Sequence, residues 1–155
     1  MKIISNTGPI IILAKIGKLG LLKELASEVL IPLTVYRELF AKVGRESQAI
    51  DRALVDFIRV AEVTEINSEV EIAIAGLDEG EKTLEIVLLL DDLAGKRVAQ
   101  QLGFSTIGSI GVLLRLKEKQ AIENVGVLLS EMKRQGYWLS DRVIEDAKRL
   151  AQEDD

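Results

Sequence analysis

Five residues with oxygen-bearing side chains stand where apolar runs of this chain break, and their types could support hydrolytic chemistry. They are Asn6, Glu38, Glu81, Asp91 and Asp92. Asn6 follows the apolar start of the chain, and the two aspartates close the aliphatic run of residues 86–90. Because the carboxyl ends of parallel strands share one edge of a sheet, side chains that follow different strands can converge there. Oxygen ligands gathered in this way suit hard cations such as Mg²⁺ or Mn²⁺.

The composition narrows the chemistry that is available. The chain has 155 residues, no histidine and no cysteine, so the commonest general base, thiolate nucleophiles and zinc–thiolate sites are excluded. The net charge of −5 gives the surface as a whole no attraction for nucleic acid, so any contact with RNA must use local basic patches or metal ions. No apolar stretch approaches the ~20 residues of a spanning helix. We therefore expect a soluble, cytoplasmic protein that folds as one domain over residues 1–155.

The order of predicted elements indicates an α/β fold in three layers, with a short central, mainly parallel sheet between helices. Apolar residues make up 48% of the chain and aromatic residues only 4%, as expected for buried aliphatic strands. Predicted strands cover residues 3–6, 28–31, 58–63, 86–90 and 104–107. Predicted helices cover residues 8–15, 18–26, a segment capped by Thr34, 46–57, a segment opened by residues 78–81, 93–102, 110–119 with Ser109 as cap, 121–135 and 140–152.

Each residue of the candidate site also has a simpler interpretation. Asn6 could form an Asx-turn before Gly8. Glu38 could be a solvated helix side chain, and Glu81 could complement the positive end of a helix. The pair Asp91 and Asp92 could cap the helix that begins at Leu93.

Several segments, taken in order, resemble PIN-domain proteins, in particular the branch known as domain of unknown function 3368. These segments are residues 6–17 (NTGPIIILAKIG), 29–32 (VLIP), 35–39 (VYREL), 76–81 (GLDEGE), 90–92 (LDD), 97–99 (RVA), Gly103 and 107–113 (IGSIGVL). The resemblance covers nearly the whole chain. It departs from the family at Asn6, where the family has Asp, and at Gly8, where the family usually has Ser. Only nine residues separate Glu81 from Asp91, where the family has a fuller helix.

The resemblance implies a Mg²⁺- or Mn²⁺-dependent endoribonuclease that cuts single-stranded RNA and is often the toxin of a toxin–antitoxin pair. It carries the catalytic and metal-binding roles to Asn6, Glu38, Glu81 and Asp91 or Asp92. It further implies a small antitoxin partner and a homodimer. The alternative is an inactive PIN module that binds RNA or a protein partner without cutting, because Asn6 lacks the charge of Asp.

Other residues are weaker candidates for RNA contact. Lys96 and Arg97 lie one helical turn beyond the aspartates and could touch phosphates, or they could be a solvated face. Tyr137 and Trp138 could stack bases, or they could form a packing corner between helices. A phospho-acceptor receiver domain is set aside, because in receivers the acidic pair closes the first strand and here it comes late.

Overall fold

Five described strands form a parallel sheet at the centre of the structure, a computed structural model that describes residues 1–41, 47–61 and 86–153. The strands are β1 (Lys2–Ser5), β2 (Glu28–Pro32), β3 (Ile58–Ala61), β4 (Ile86–Leu89) and β5 (Ser105–Ile107). The helices are α1 (Thr7–Lys15), α2 (Leu33–Ala41), α3 (Ser47–Leu54), α4 (Leu93–Gln101), α5 (Ser109–Glu118), α6 (Val125–Arg134) and α7 (Asp141–Leu150), with a 3₁₀ helix at Leu19–Glu24. The strand order is β3-β2-β1-β4-β5 and every pairing is parallel, which confirms the predicted α/β class.

The alternation of side chains along the strands divides the apolar residues between two faces of the sheet. Ile3 pairs with Val29 and Val87, and all belong to the larger core cluster. The next residue, Ile4, pairs with Leu30 and Leu88, which belong to a second, smaller cluster. The central strands are therefore buried on both faces, as their continuous aliphatic sequences predict.

The two faces are covered by different helices. The larger cluster includes buried residues of α1, α5 and α6, such as Leu13, Leu113 and Leu129. The smaller cluster includes Ala99 of α4. None of the helices in the described ranges is long and apolar enough to cross a membrane.

Three local predictions differ from the structure. The segment predicted as a helix over residues 18–26 is a 3₁₀ helix, consistent with the glycines at positions 17 and 20 and their cost to a regular helix. Helix α2 begins at Leu33, directly after the last strand residue, so Thr34 lies inside the helix and does not cap it. Gly108 occupies the cap position of α5, and Ser109 is the first helical residue. The helix predicted to open at residues 78–81 lies outside the described ranges.

The carboxylate of Glu153, which follows α7, forms hydrogen bonds with the start of α6. It accepts hydrogen bonds from the amides of Val125 (2.7 Å) and Gly126 (2.9 Å) and from Lys117 Nζ (2.9 Å). The side chain is only 8% exposed. Burial by itself raises the pKa of the Glu153 carboxyl, but the bonds from Gly126, Val125 and Lys117 together lower it below the usual 4.5. The folded state therefore favours the charged form.

We expect Glu153→Gln to lower the free energy of unfolding by about 2 kcal/mol at pH 7, because charge-assisted bonds are lost. That corresponds to about 4–8 °C in Tm. A carboxyl whose folded pKa is lowered stabilises the fold above its unfolded pKa, here 4.5, and loses that contribution as the pH falls through the folded value. The difference in melting temperature between the variant and the natural chain should therefore shrink as the pH falls below 4.5. Thermal melts from pH 3 to 7 measure it, with the exposed Glu118→Gln as control. Equal melting of both variants at pH 7 would refute this role of Glu153.

Candidate functional site

The sheet has its topological switch point between β1 and β4. From β1 the chain winds outward through β2 and β3, then crosses to the other side of β1 for β4 and β5. Ser5 and Leu89 are register partners at the ends of these strands, and the amide of Asn6 donates to the carbonyl of Leu89 at 3.2 Å. In open parallel sheets, ligands bind in the crevice outside the carboxyl ends of the strands at such a point. Asn6 and Asp91 border this crevice.

Asn6 stands at the cap position of α1 without capping it. Its backbone is extended, and its side chain makes no capping hydrogen bond. By contrast, Asn124 and Ser140 accept bonds from Val127 and Val143 at 2.8 and 3.1 Å in the same helix position. The Asn6 side chain therefore does not serve as a helix cap. The side-chain amide of the half-buried Asn6 stays available at the crevice.

Glu38 is linked to this edge by a buried hydroxyl. The carboxylate is exposed on α2, and its Oε2 accepts a 2.7 Å hydrogen bond from Oγ1 of Thr7, the first residue of α1. Thr7 is 7% exposed and directly follows Asn6. The bond brings a carboxylate from a different part of the chain to the end of β1, and it restricts the freedom of an otherwise solvated side chain.

Asp91 is held more firmly than any other acidic residue of the candidate set that the structure describes. Its Oδ1 accepts from the amide of Ser109 at 2.7 Å, and its Oδ2 accepts from Ser109 Oγ at 2.5 Å. Tyr137 lies close enough to this carboxylate for its charge to act on the phenol. Burial raises the pKa of the Tyr137 phenol, and the nearby Asp91 carboxylate raises it further, so the phenol keeps its proton. Each carboxylate oxygen has two lone pairs, so these donors leave acceptor capacity for a cation.

Asp92 makes a different contact from its neighbour. It is exposed, occupies the cap position of α4 and accepts from the amide of Gly95 at 2.8 Å. The capping interpretation of the aspartate pair therefore fits Asp92, whereas Asp91 faces Ser109 and Tyr137. Sequence position alone does not separate these two residues.

Lys96 is the basic residue placed at the site. Its Nζ and Asp91 Oδ1 each lie 3.0 Å from the point where a Cβ on residue 108 would stand, so Gly108 leaves the room that both groups occupy. Lys96 makes no ion pair within the described part of the chain. The next residue, Arg97, is exposed on the same helix. A lysine beside a carboxylate at the crevice can offer a positive charge to a phosphate.

Glu81 lies outside the described residues, so the structure does not place it relative to the others. Within the described ranges, no group of three or more acidic, histidine or cysteine residues is arranged to hold a metal. Position 6 carries an amide and Asp92 caps a helix, which leaves Glu38 and Asp91 as the described carboxylates that are oriented at the edge.

Comparison with known protein families shows to which family the chain belongs. Residues 2–153 match the DUF3368 family, which is described as a PIN domain. The chain belongs to this PIN-domain family. No match to a curated protein or to a solved structure is significant. The match confirms the predicted PIN-domain family over residues 2–153, and the described residues have the α/β fold that was expected.

In this PIN domain, sequence reasoning missed the residues that orient the carboxylates. The buried polar side chains of the described residues are Ser5, Thr7 and Ser109, and all three lie at the end of β1 or just after β5. The sequence predicts Ser109 as a helix cap and indicates no role toward an acid for Thr7 or Tyr137. A small hydroxyl directly after a strand-end polar residue, as Thr7 follows Asn6, is the signal that could have indicated such a partner.

Proposed function

We propose that this PIN domain is a divalent-metal-dependent endoribonuclease that acts on single-stranded RNA. The observation that carries the proposal is the switch-point crevice, where Asn6 and Asp91 follow neighbouring strands and Thr7 holds Glu38 at the same edge. The family membership supports a nuclease among the many functions that a parallel α/β sheet can host.

The available donors fit a hard cation. Asn6, Glu38 and Asp91 would each bind a cation through an oxygen atom, and Mg²⁺ is commonly held by one or two carboxylates while it keeps several waters. We propose these three residues as ligands of Mg²⁺ or Mn²⁺, together with Glu81. Of the aspartate pair, Asp91 is the ligand and Asp92 is the helix cap. A cation bound there would supply Lewis acidity and make its bound water more acidic.

The chain's own residues then divide the remaining work. Ser109 and Thr7 fix the orientation of Asp91 and Glu38, as partners behind metal ligands commonly do. Lys96 stands beside Asp91 and can contact a phosphate oxygen of the substrate, and Arg97 can contact a neighbouring phosphate. These contacts offset the unfavourable net charge of −5 at the site where RNA must approach.

The second candidate is an inactive PIN module that binds RNA or a protein partner. Two observations favour it: position 6 carries an uncharged amide, and the described carboxylates do not form a group of three. An amide contributes an oxygen but neither charge nor proton exchange at neutral pH. Metal affinity, and not the fold, is what separates the two candidates.

We further propose that the protein is a toxin-like nuclease of the cytoplasm, that it forms a homodimer and that a small antitoxin covers the crevice. Support comes from the family and from the exposed Glu38, which suits an arginine or lysine of a partner segment. A small open reading frame next to the gene is where such a partner is expected.

Incubation of the purified chain with single-stranded RNA tests the function. We expect cleavage with Mn²⁺ or Mg²⁺, no cleavage with EDTA, and inhibition by an added antitoxin. Cleavage that persists in EDTA would exclude the metal-dependent reaction. RNA binding without cleavage at saturating metal would establish the inactive module instead.

A further inference from the structure

Trp138 is the one tryptophan of the chain, and the fold leaves it 83% exposed. A large aromatic side chain in water contributes little to the core, so its stabilising value in the free protein is small. It directly follows Tyr137, about 3.8 Å along the backbone, and the nearby Asp91 carboxylate raises the pKa of the Tyr137 phenol. Trp138 is thus the sequence neighbour of a residue that lies near the Asp91 carboxylate, and both residues line one cleft.

The surroundings of Trp138 combine one aromatic face with polar groups. A cleft of about 370 Å³ lies between the end of α6 and the start of α7, lined by Lys133, Tyr137, Trp138, Ser140 and Asp141, with Gly136 and Leu139. Lys133 Nζ pairs with Asp141 at 3.1 Å, and both side chains are half exposed or more. Such a surface pair is worth little, so Lys133 can exchange its partner for a phosphate at small cost.

This composition fits a nucleotide better than a protein. Leu139 is 6% exposed, which leaves Trp138 as the exposed large apolar side chain of the cleft. A protein interface of useful affinity needs a contiguous apolar centre of larger area. A base needs only one ring to stack on and a cation for the adjoining phosphate.

We infer that Trp138 is a stacking platform for an unpaired base of a single-stranded nucleic acid whose scissile phosphate lies at Asp91. This inference rests on the proposed function and adds a residue that binds substrate outside the metal site. Lys133 receives the phosphate next to the stacked base. Stacking on an aromatic face tolerates every base, so the platform raises affinity with little sequence preference.

The chain has two tyrosines besides its one tryptophan, so fluorescence excited selectively at tryptophan reports on Trp138 alone. We expect a single-stranded RNA oligomer, added in EDTA to prevent cleavage, to quench this fluorescence in a saturable way. An abasic oligomer with the same number of phosphates should quench much less. Trp138→Ala should weaken binding of labelled RNA about tenfold, and Trp138→Phe should keep most of it. Leu150→Ala, which also removes an exposed apolar side chain (73% exposed), is the matched control and should bind as the natural chain does.

The possible results separate the inference from the proposed function. If RNA is cleaved but neither quenches the fluorescence nor binds more weakly to Trp138→Ala, the platform is wrong and the nuclease stands. If quenching depends only on protein concentration, Trp138 contacts a second copy of the chain, and the platform is again wrong. If no RNA binds at all, both proposals fail. Equal quenching by RNA and by the abasic oligomer would assign the contact to phosphates and exclude stacking.

Discussion

Asp91→Asn should reduce metal-dependent RNA cleavage by about 100-fold or more. Removal of groups that merely orient metal ligands already costs about 10–100-fold, and this change removes the charge of the ligand itself. The substitution keeps the size of the side chain, and Ser109 Oγ can rotate to accept a bond from the new amide group. We therefore expect a folded protein whose melting temperature changes little without metal and rises less when Mn²⁺ is added. Initial cleavage rates against Mn²⁺ concentration measure the effect.

The adjacent Asp92→Asn is the matched control, since it makes the same chemical change one residue away. The Asp92 carboxylate caps α4 through Gly95, and asparagine caps helices about as well as aspartate. We expect this variant to keep its cleavage rate within about threefold of that of the natural chain, because asparagine and aspartate stabilise a helix start about equally. A loss as large as that of Asp91→Asn would make Asp92 a ligand as well. A larger loss would reverse our assignment of the pair.

The sheet could be predicted from sequence because its strands are short aliphatic runs that end at polar residues. In a parallel sheet such ends share one edge, so the sequence predicts Asn6 and the aspartate pair at the same edge, and the observed pairing of β1 with β4 makes them neighbours. The order of the strands was not predicted, because the residues record alternation with helices but not the side of β1 on which β4 is added.

Individual contacts at the site could not be predicted in the same way. Asp91 and Asp92 are identical residues at adjacent positions, and only the path of the backbone directs one to Ser109 and the other to Gly95. The hydroxyl groups that bind these carboxylates could not be predicted either, since Thr7 and Ser109 are residue types that commonly begin helices. Their role depends on which distant carboxylate the fold brings to them. Tyr137 lies 46 positions from Asp91 along the chain, and no local pattern encodes that the fold brings the phenol near this carboxylate.

Asn6→Asp should tighten binding of Mn²⁺ about tenfold and raise cleavage at limiting metal. A unit charge beside a divalent cation is attractive by several kcal/mol even at an effective dielectric constant of about 20. Repulsion from Glu38 and Asp91 and the loss of hydration offset most of this gain, so about 1.4 kcal/mol, or tenfold, is expected to remain. The substitution removes no helix cap, because the Asn6 side chain does not cap α1. Isothermal titration with Mn²⁺ and cleavage rates at limiting metal measure both effects.

The gain must depend on a shared ion if Asn6 is a ligand. Without metal, the added charge crowds the other carboxylates and should lower the melting temperature slightly, and saturating Mn²⁺ should reverse that loss. Glu38→Gln added to Asn6→Asp should remove most of the tighter binding, since both residues would act on one cation. Asn124→Asp is the matched control: Asn124 caps α6 through Val127, so an acid there complements a helix start and leaves metal binding unchanged. Equal Mn²⁺ affinity of the natural chain and Asn6→Asp would exclude position 6 from the metal site. The metal ligands would then have to be sought among Glu38, Asp91 and Glu81 alone.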